Sequence, residues 1–181
     1  KKLGLWWTDD QRDDVFWRSS NSGGRATSRH KSGKETFGQY GDVQATDPYG
    51  QPLVDLCTIE VKRGYSRMSV ADLLDVRKGG RIQQWEAWFQ QAILEQKEAG
   101  TPYWMLITRR DRREALVCIP TSFWVYLVDK EARPARMRPR ARLWFPARKG
   151  APEVDVFVVH LQSFLSKILP THLGRKEKRD A

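Results

Sequence analysis

The stretch Ile59-Glu60-Val61-Lys62, near the end of the segment from Leu53 to Arg63, is the part of the chain that decides the fold. Its apolar and charged residues alternate, and alternation with a period of two predicts a β-strand. The strand would place Glu60 and Lys62 on one face, roughly 6–7 Å apart along the chain, and would turn Ile59 and Val61 toward the core. Such a face can do chemistry, because a carboxylate binds hard cations and an ammonium can position a water or stabilise negative charge on a phosphate.

A second strand is predicted upstream, from Gly41 to Thr46. It is separated from the segment Leu53 to Arg63 by residues 47–50, which contain the Pro and Gly typical of a turn, so the two strands are expected to form an antiparallel hairpin. The hairpin would bring Asp42 alongside Glu60. Together they could hold Mg²⁺, which binds through one or two carboxylates and keeps other positions for water and phosphate oxygens.

An ordinary salt bridge on a solvated sheet face is the alternative for an isolated Glu-x-Lys triplet. The chain contains the same triplet at Glu95-Gln96-Lys97. That triplet lies in a predicted helix, where residues two apart do not face each other, and it is therefore set aside. The first triplet is favoured because it lies on a predicted strand, follows a Gly-Asp pair on the partner strand, and has a polar Gly- and Ser-rich loop before it.

Helices are predicted from capping residues and from apolar residues at helical spacing. They are a short helix that begins after Thr8 and ends near Trp17, one from Ser69 to about Arg77, and, after a Gly79-Gly80 break, one from about Ile82 to Ala99 that Gly100 ends. The segment from Arg18 to Tyr40 is rich in Ser, Gly, Arg and Lys and is predicted to be a loop.

The remaining strands are predicted from short apolar runs. They are Tyr103 to Thr108, Ala115 to Ile119, a strand around Arg142 to Phe145, and a strand-to-helix segment from Val154 to Leu169, with a helix or loop near Phe123 to Val128. This order predicts an α/β fold in which helices flank a mixed β-sheet. Residues 1–173 are expected to form a single domain, and the mostly charged residues 174–181 a frayed tail.

The charge of the chain and its two cysteines indicate which partners and which cellular compartment to expect. Lys and Arg number 32 against 22 Asp and Glu, and the formal net charge of +10 suits a polyanion such as nucleic acid. Cys57 and Cys118 lie in apolar runs without disulfide or zinc spacing, which favours a reducing compartment. No apolar run approaches the length of a membrane span, so a cytoplasmic protein with no membrane partner is expected.

Taken together, Gly41-Asp42-Val43, the Ile59–Lys62 stretch and the segment from Phe16 to Arg25 resemble the PD-(D/E)XK nuclease superfamily. The resemblance points to the Holliday-junction resolvase-like branch of small enzymes, including phage-encoded ones, and covers roughly Trp6 to Ile119. It implies a restriction-endonuclease-like core. Gly41 stands where the superfamily name has Pro, as it does in many resolvase-like members.

The resemblance also implies an activity and the residues that carry it. The protein would be a Mg²⁺- or Mn²⁺-dependent endonuclease that hydrolyses DNA phosphodiesters. Selectivity for branched or other DNA structures would fit the resolvase-like branch, whose members are commonly dimers, while a plain duplex substrate and other oligomeric states stay open. Asp42 and Glu60 would bind the metal, with the main-chain carbonyl of Val61 as a third ligand. Lys62 would assist the attacking water.

Two further site residues are expected from the family pattern. One is a Gln from the helix after the Glu-x-Lys strand, for which Gln91 fits best and Gln84 and Gln90 are alternatives. The other is an acid from the first helix. Its candidates are Asp13, Asp14 and Asp10, although acidic residues near a helix start are equally explained by the helix dipole.

Two segments are candidates for contact with DNA. In the first, Arg18, Ser22 and Arg25 could bind phosphate, because residues 22–25 offer main-chain N–H groups and a guanidinium; the alternative is a flexible linker. The second, called here the basic stretch, runs from Lys130 to Lys149 with eight basic residues against one acidic residue. It is either an electrostatic track beside a stacking surface or a solvated basic face with its tryptophan in the core. Its candidate residues are Arg136, Arg138 and Arg140, with Trp144 and Phe145 beside them.

A non-catalytic DNA-binding accessory protein on the same fold is the alternative function. An intact set of Asp42, Glu60 and Lys62 argues against it, because binding alone would not require all three. A structural or protein-interaction module is least favoured, and it would have no affinity for DNA.

Overall fold

The computed structural model describes residues 1–19, 40–65, 84–130, 139–147 and 152–176. The helices are α1 (Lys2–Trp7), α2 (Gln51–Leu56), α3 (Gln84–Ala99), α4 (Thr121–Asp129) and α5 (Leu161–Lys167), with 3₁₀ turns at Pro48–Gly50 and Pro170–Leu173. The strands are β1 (Phe16–Arg18), β2 (Val43–Ala45), β3 (Cys57–Gly64), β4 (Tyr103–Arg110), β5 (Leu116–Pro120), β6 (Ala141–Phe145) and β7 (Val154–His160).

Five of the strands form one mixed sheet in the order β3-β4-β5-β7-β6. β3 and β4 are parallel, and the other neighbouring pairs are antiparallel. β1 and β2 form a separate antiparallel ribbon. The expected α/β fold, a mixed sheet flanked by helices as in a restriction-endonuclease-like core, is confirmed.

Two apolar clusters bury the two faces of the sheet. The continuous apolar run of β4 supplies side chains to both clusters. Met105 and Ile107 belong to one cluster, and Trp104 and Leu106 belong to the other. The first cluster includes residues of α1, α2, α4 and α5. Within the described residues, the helical side of the second cluster is α3. The α3 face therefore carries the side chains of β3 that alternate with buried Ile59.

The N-terminal helix lies earlier in the chain than predicted. Thr8, predicted as an N-cap, is the C-cap of α1. Its hydroxyl donates to the carbonyl of Gly4 (2.9 Å) and accepts the main-chain N–H of Arg12 (2.8 Å), so it ends one helix and begins a turn. Phe16–Arg18 is a strand, and the prediction of a helix through this segment is wrong.

The predicted hairpin is wrong in its pairing. β2 pairs with β1 rather than with β3, and Gln51–Leu56 is a helix rather than the beginning of a strand. Pro52 in its first turn favours a helix start, and the Asp47 side chain caps the preceding 3₁₀ turn. A main-chain hydrogen bond from the Asp42 N–H to the Ile59 carbonyl (2.8 Å) nevertheless ties the approach to β2 to β3.

Val61 does not face the core, contrary to the alternation argument. It is 40% exposed, whereas Ile59 is 1% exposed. Among the described residues, β3 has a neighbouring strand on one side only, so the end of this edge strand is less covered than its beginning.

The other predicted elements agree with the structure where it describes them. They are α3 with its end at Gly100, the strands β4 to β7, α4, and α5 directly after β7. The predicted helix from Ser69 to Arg77, the Gly79-Gly80 break and most of the loop from Arg18 to Tyr40 lie outside the described residues. No described helix is long and apolar enough to span a bilayer.

Candidate active site

Gly41 allows the chain before β2 to lie directly against β3. It has a left-handed conformation (φ +72°), and a Cβ atom added there would stand 3.0 Å from the carbonyl oxygen of Ile59. Glycine adopts this conformation without steric cost, but proline, whose φ is held close to −65°, cannot. The backbone therefore requires Gly at the position where the superfamily name has Pro.

Main-chain hydrogen bonds hold Asp42 beside β3. The Asp42 carbonyl accepts the N–H of Ser19 (3.0 Å), and the Ser19 hydroxyl donates to the Gly41 carbonyl (2.8 Å). The Asp42 carboxylate accepts the main-chain N–H of Val61 (2.9 Å), and its charge acts on Glu60. The expected approach of Asp42 to Glu60 thus occurs without a hairpin.

Glu60 is a buried carboxyl group among other carboxylates. It is only 1% exposed, and burial raises its pKa from 4.5 to about 9. A hydrogen bond with Glu95 and the charge of Asp42 also raise this pKa, while the hydrogen bond from Lys62 lowers it. A buried carboxyl with such a shifted pKa and specific charged partners is typical of a functional site.

Lys62 is held between two acceptors. Its Nζ donates to Glu60 Oε2 (2.7 Å) and to Gln91 Oε1 (2.9 Å). The two side chains lie on the same face of β3, as the alternation predicts, and Gln91 reaches them from α3. Of the three candidate glutamines, Gln91 is therefore the one in contact with the Glu-x-Lys pair.

Glu95 belongs to the same cluster, although the sequence argument did not select it. Its Oε1 accepts from Gln91 Nε2 (2.8 Å), and its Oε2 accepts from the Gly41 N–H (2.8 Å). The triplet Glu95-Gln96-Lys97 lies in a helix, as predicted, and is not a second Glu-x-Lys strand. Glu95 nevertheless reaches the cluster around the first triplet from α3. The signal in the sequence was its spacing, since Glu95 lies four residues after Gln91 and on the same helix face.

The donor set of this cluster fits a hard divalent cation. Asp42 and Glu60 provide carboxylate oxygens, and Mg²⁺ binds through one or two such groups while it retains water. Burial, and then the neighbouring Glu95 and Asp42, raises the pKa of Glu60, and a cation held there would favour its ionised form. Within the described residues, no three His, Cys, Asp or Glu side chains are grouped to hold a metal on their own.

Asp13 and Asp14 lie in the connection between α1 and β1. Asp13 pairs with Lys1 (3.3 Å), and the Asp14 carboxylate accepts from Arg12 (2.9 Å), which lowers the pKa of Asp14. Arg12 also binds Asp47 (2.8 Å). Within the described residues, no hydrogen bond or ion pair joins Asp13 or Asp14 to Glu60 or Lys62, and α1 itself carries no acidic residue.

The predicted DNA-contact residues are described only in part. Arg18 is exposed on β1, immediately before Ser19, which binds the Gly41 carbonyl. Arg140 is exposed just before β6. Ser22, Arg25, Arg136 and Arg138 lie outside the described residues.

The described end of the basic stretch is a solvent-facing edge. Trp144 is 61% exposed on β6 and donates its indole N–H to Glu153 (2.9 Å), so the alternative with this ring in the core is wrong. Arg142 donates to both carboxylate oxygens of Asp155 (2.9 and 2.6 Å), so its charge is locally compensated. Arg140 and Trp144 are the described residues of this edge that remain suited to a nucleic acid.

The comparisons with known proteins identify a family. The family model described as "Phage putative PDDEXK endonuclease" matches residues 1–174, beyond the part of the chain on which the resemblance was based. No curated protein and no solved structure matches the chain. Since the family match covers nearly the whole chain, and Asp42, Glu60 and Lys62 meet in one cluster, the chain belongs to this phage family of PD-(D/E)XK endonucleases.

Proposed function

We propose that the protein is a Mg²⁺- or Mn²⁺-dependent endonuclease that hydrolyses DNA phosphodiesters at the cluster of Asp42, Glu60 and Lys62. The observation that carries the proposal is the burial of Glu60 beside two further carboxylates, with Lys62 as its ammonium partner. A purely structural ion pair would gain little from this crowding, because burying charge is costly and an apolar pair of similar volume would serve as well.

A divalent cation would be held by Asp42 and Glu60, with the main-chain carbonyl of Val61 as a further ligand. When bound, it would neutralise charge on the scissile phosphate and lower the pKa of a bound water. The carboxylates supply hard oxygen ligands, which suit Mg²⁺ and Mn²⁺.

Lys62 would stabilise the negative charge that develops on the phosphate as the bond to water forms. Its two acceptors, Glu60 and Gln91, hold the ammonium in one position, so little reorganisation is needed during the reaction. Covalent catalysis by cysteine is disfavoured, because burial raises the pKa of Cys118 to about 12 and also raises that of Cys57.

The basic character of the chain supports DNA as the substrate, as does the endonuclease family. The resolvase-like resemblance extends the proposal to branched DNA and to a homodimer. A non-catalytic DNA-binding protein is the competing function. It would need the basic residues but not a buried Glu60 with acids beside it.

The direct test is incubation of the protein with labelled linear duplex, single-stranded, flapped and four-way-junction DNA, with Mg²⁺, Mn²⁺ or EDTA. We expect cleavage with either metal and none with EDTA, and faster cleavage of the branched substrates. Full activity in excess EDTA would contradict the metal mechanism. Equal rates on all substrates would contradict branch selectivity.

Two variants test the site itself. Asp42→Asn and Glu60→Gln should abolish cleavage while DNA binding, measured by fluorescence anisotropy without metal, survives. The matched control is Asp111→Asn, which makes the same acid-to-amide change at an exposed residue of the turn between β4 and β5. If either site variant cuts at the rate of Asp111→Asn, the site is misassigned.

A further inference from the structure

Glu95 is the side chain that connects the two halves of the candidate site. One half is the Gly41–Asp42 turn, and the other is the Lys62 ammonium with its acceptor Glu60 on β3. These halves lie on segments that precede and include β3, whereas Glu95 comes from α3, more than thirty residues later. One oxygen accepts from the Gly41 N–H and the other from Gln91 Nε2, both at 2.8 Å, and the carboxyl group also shares a hydrogen bond with Glu60.

The orientation of the Gln91 amide follows from its two neighbours. Its carbonyl oxygen faces the Lys62 ammonium (2.9 Å) and its NH₂ group faces the Glu95 carboxylate (2.8 Å). The reverse orientation would set NH₂ against ammonium and carbonyl oxygen against carboxylate, so both contacts would be repulsive. The carboxylate at position 95 therefore acts together with Lys62 to favour the orientation in which Gln91 offers an acceptor to Lys62.

The same carboxylate holds the turn that carries Asp42. The Gly41 N–H has its acceptor in Glu95, while the Gly41 carbonyl is bound by Ser19. Because Gly41 is in a left-handed conformation close to β3, the position of Asp42 depends on both bonds. A shift of the Glu95 side chain would displace Asp42 through the bond to Gly41. It would also displace Lys62 through the bond to Gln91.

We propose that Glu95 is a positioning residue of the active site, which holds the Gly41–Asp42 turn with one carboxylate oxygen and orients the Gln91 amide toward Lys62 with the other. The inference deepens the proposed endonuclease function and rests on it. Residues that orient catalytic groups in this way commonly contribute about tenfold to a hundredfold to activity.

Exchange of the two side chains gives a sharp test. In Glu95→Gln, one side-chain oxygen can still accept from Gly41, but the new NH₂ group faces the NH₂ of Gln91. If Gln91 turns over to restore this bond, Lys62 loses an acceptor; if it does not, Gln91 is no longer held in its orientation. In the double variant Gln91→Glu with Glu95→Gln, residue 91 accepts from Lys62 and from residue 95, and residue 95 accepts from Gly41. These three hydrogen bonds each have a donor and an acceptor again, with the same net charge as the natural pair.

The kinetic arm compares these variants with Glu98→Gln, an exposed glutamate of the same helix. We expect Glu95→Gln to lower kcat about tenfold to a hundredfold with KM for DNA nearly unchanged, and the double variant to regain most of that loss. Glu98→Gln should match the natural protein. The proposal is overturned if Glu95→Gln keeps the natural kcat, if Glu98→Gln loses as much, or if the double variant is no better than Glu95→Gln.

A structural arm needs no catalysis. Hydrogen exchange measured by NMR should show faster exchange of the Gly41 amide in Glu95→Ala, and exchange close to that of the natural protein in Glu95→Gln and Glu98→Gln. An unchanged Gly41 amide in Glu95→Ala would reject the role of Glu95 even if the protein cleaves DNA. A natural protein that cleaves no substrate would instead reject the endonuclease proposal, so the two failures are distinguishable.

Discussion

Glu60 combines two properties that oppose each other, an ionisable carboxyl and almost complete burial. Carboxylates are rarely buried unless they are paired or bind a cation. Here the ammonium of Lys62 is shared among Glu60 and the acceptor on Gln91, while Asp42 and Glu95 add negative charge nearby. Burial, together with these neighbouring acids, raises the pKa of Glu60, and a bound cation would favour its ionised form.

The raised pKa makes stability depend on pH in a defined direction. Burial raises the pKa of Glu60 from 4.5 to about 9, so between these values the folded protein holds a proton that the unfolded chain releases. The stabilisation of the folded state that Glu60 contributes is fully present below about pH 4.5 and is lost as the pH rises toward 9. We expect the metal-free protein to lose stability over this interval, by thermal unfolding, and Glu60→Gln to lose less. Parallel curves for the two proteins would contradict the shifted pKa.

Lys62→Ala should affect turnover more than binding. The ammonium interacts with charge that develops in the transition state, so its removal should lower kcat about a hundredfold to a thousandfold while KM for DNA and metal affinity change little. The measurement is steady-state kinetics together with metal titration. Lys97→Ala, an exposed lysine in the last turn of α3, is the control. A variant that turns over normally but loses metal binding or unfolds would identify Lys62 as a structural partner of Glu60.

At the scale of elements, the site is built from one strand, one turn and one helix. β3 presents Glu60 and Lys62, the turn before β2 presents Asp42, and α3 presents Gln91 and Glu95 one helical turn apart. The helix is also anchored outside the site, because Trp85, Trp88, Phe89 and Ala92 belong to the apolar cluster on that face of the sheet. The turn lacks such packing and depends on Gly41.

Gly41→Ala should therefore disrupt the turn and the site together. The left-handed backbone costs a residue with a Cβ about 1–2 kcal/mol, and the added atom would stand 3.0 Å from the Ile59 carbonyl oxygen. Gly100→Ala is a matched control, since Gly100 has nearly the same φ (+69°) and no atom within 4 Å of an added Cβ. Both variants should lose stability in thermal unfolding, and Gly41→Ala should lose more stability and most of the cleavage activity. Equal effects of the two substitutions would mean that the close approach to β3 is unimportant.

At the scale of the whole molecule, the positive charge is unevenly distributed along the chain. The basic stretch carries eight basic residues against one acidic residue, although Asp155 compensates Arg142 from outside it. Its described end at β6 exposes Arg140 and Trp144. The stretch is therefore the main candidate for contact with the DNA backbone away from the cleavage site.

Replacement of Arg136, Arg138 and Arg140 together by Ala should weaken DNA binding and make it less dependent on salt. Each lost phosphate contact lowers the slope of log affinity against log salt by about 0.9. The control replaces Lys2, Lys167 and Lys176, three exposed residues elsewhere, and removes the same charge. Anisotropy titrations at several salt concentrations should separate the two sets. Identical slopes would identify the stretch as a solvated face.

Much of the fold and of the candidate site could be predicted from the sequence, because the relevant signals are local. Alternation in residues 59–62 places Glu60 and Lys62 on one face of a strand, and helical spacing predicts α3 and the choice of Gln91. Continuous apolar runs predict β4 and β5 inside the sheet. The mixed α/β fold follows from the order of these elements.

The tertiary structure alone decided what depends on contacts between distant segments. It paired β2 with β1, made residues 51–56 a helix, left Val61 exposed on an edge strand, and brought Glu95 to Gly41 across fifty-four positions. The sequence by itself determined which residues could do chemistry and on which element most of them lie. It could not determine which of them meet, because periodicity describes one element at a time, whereas hydrogen bonds and burial depend on the packing of all of them.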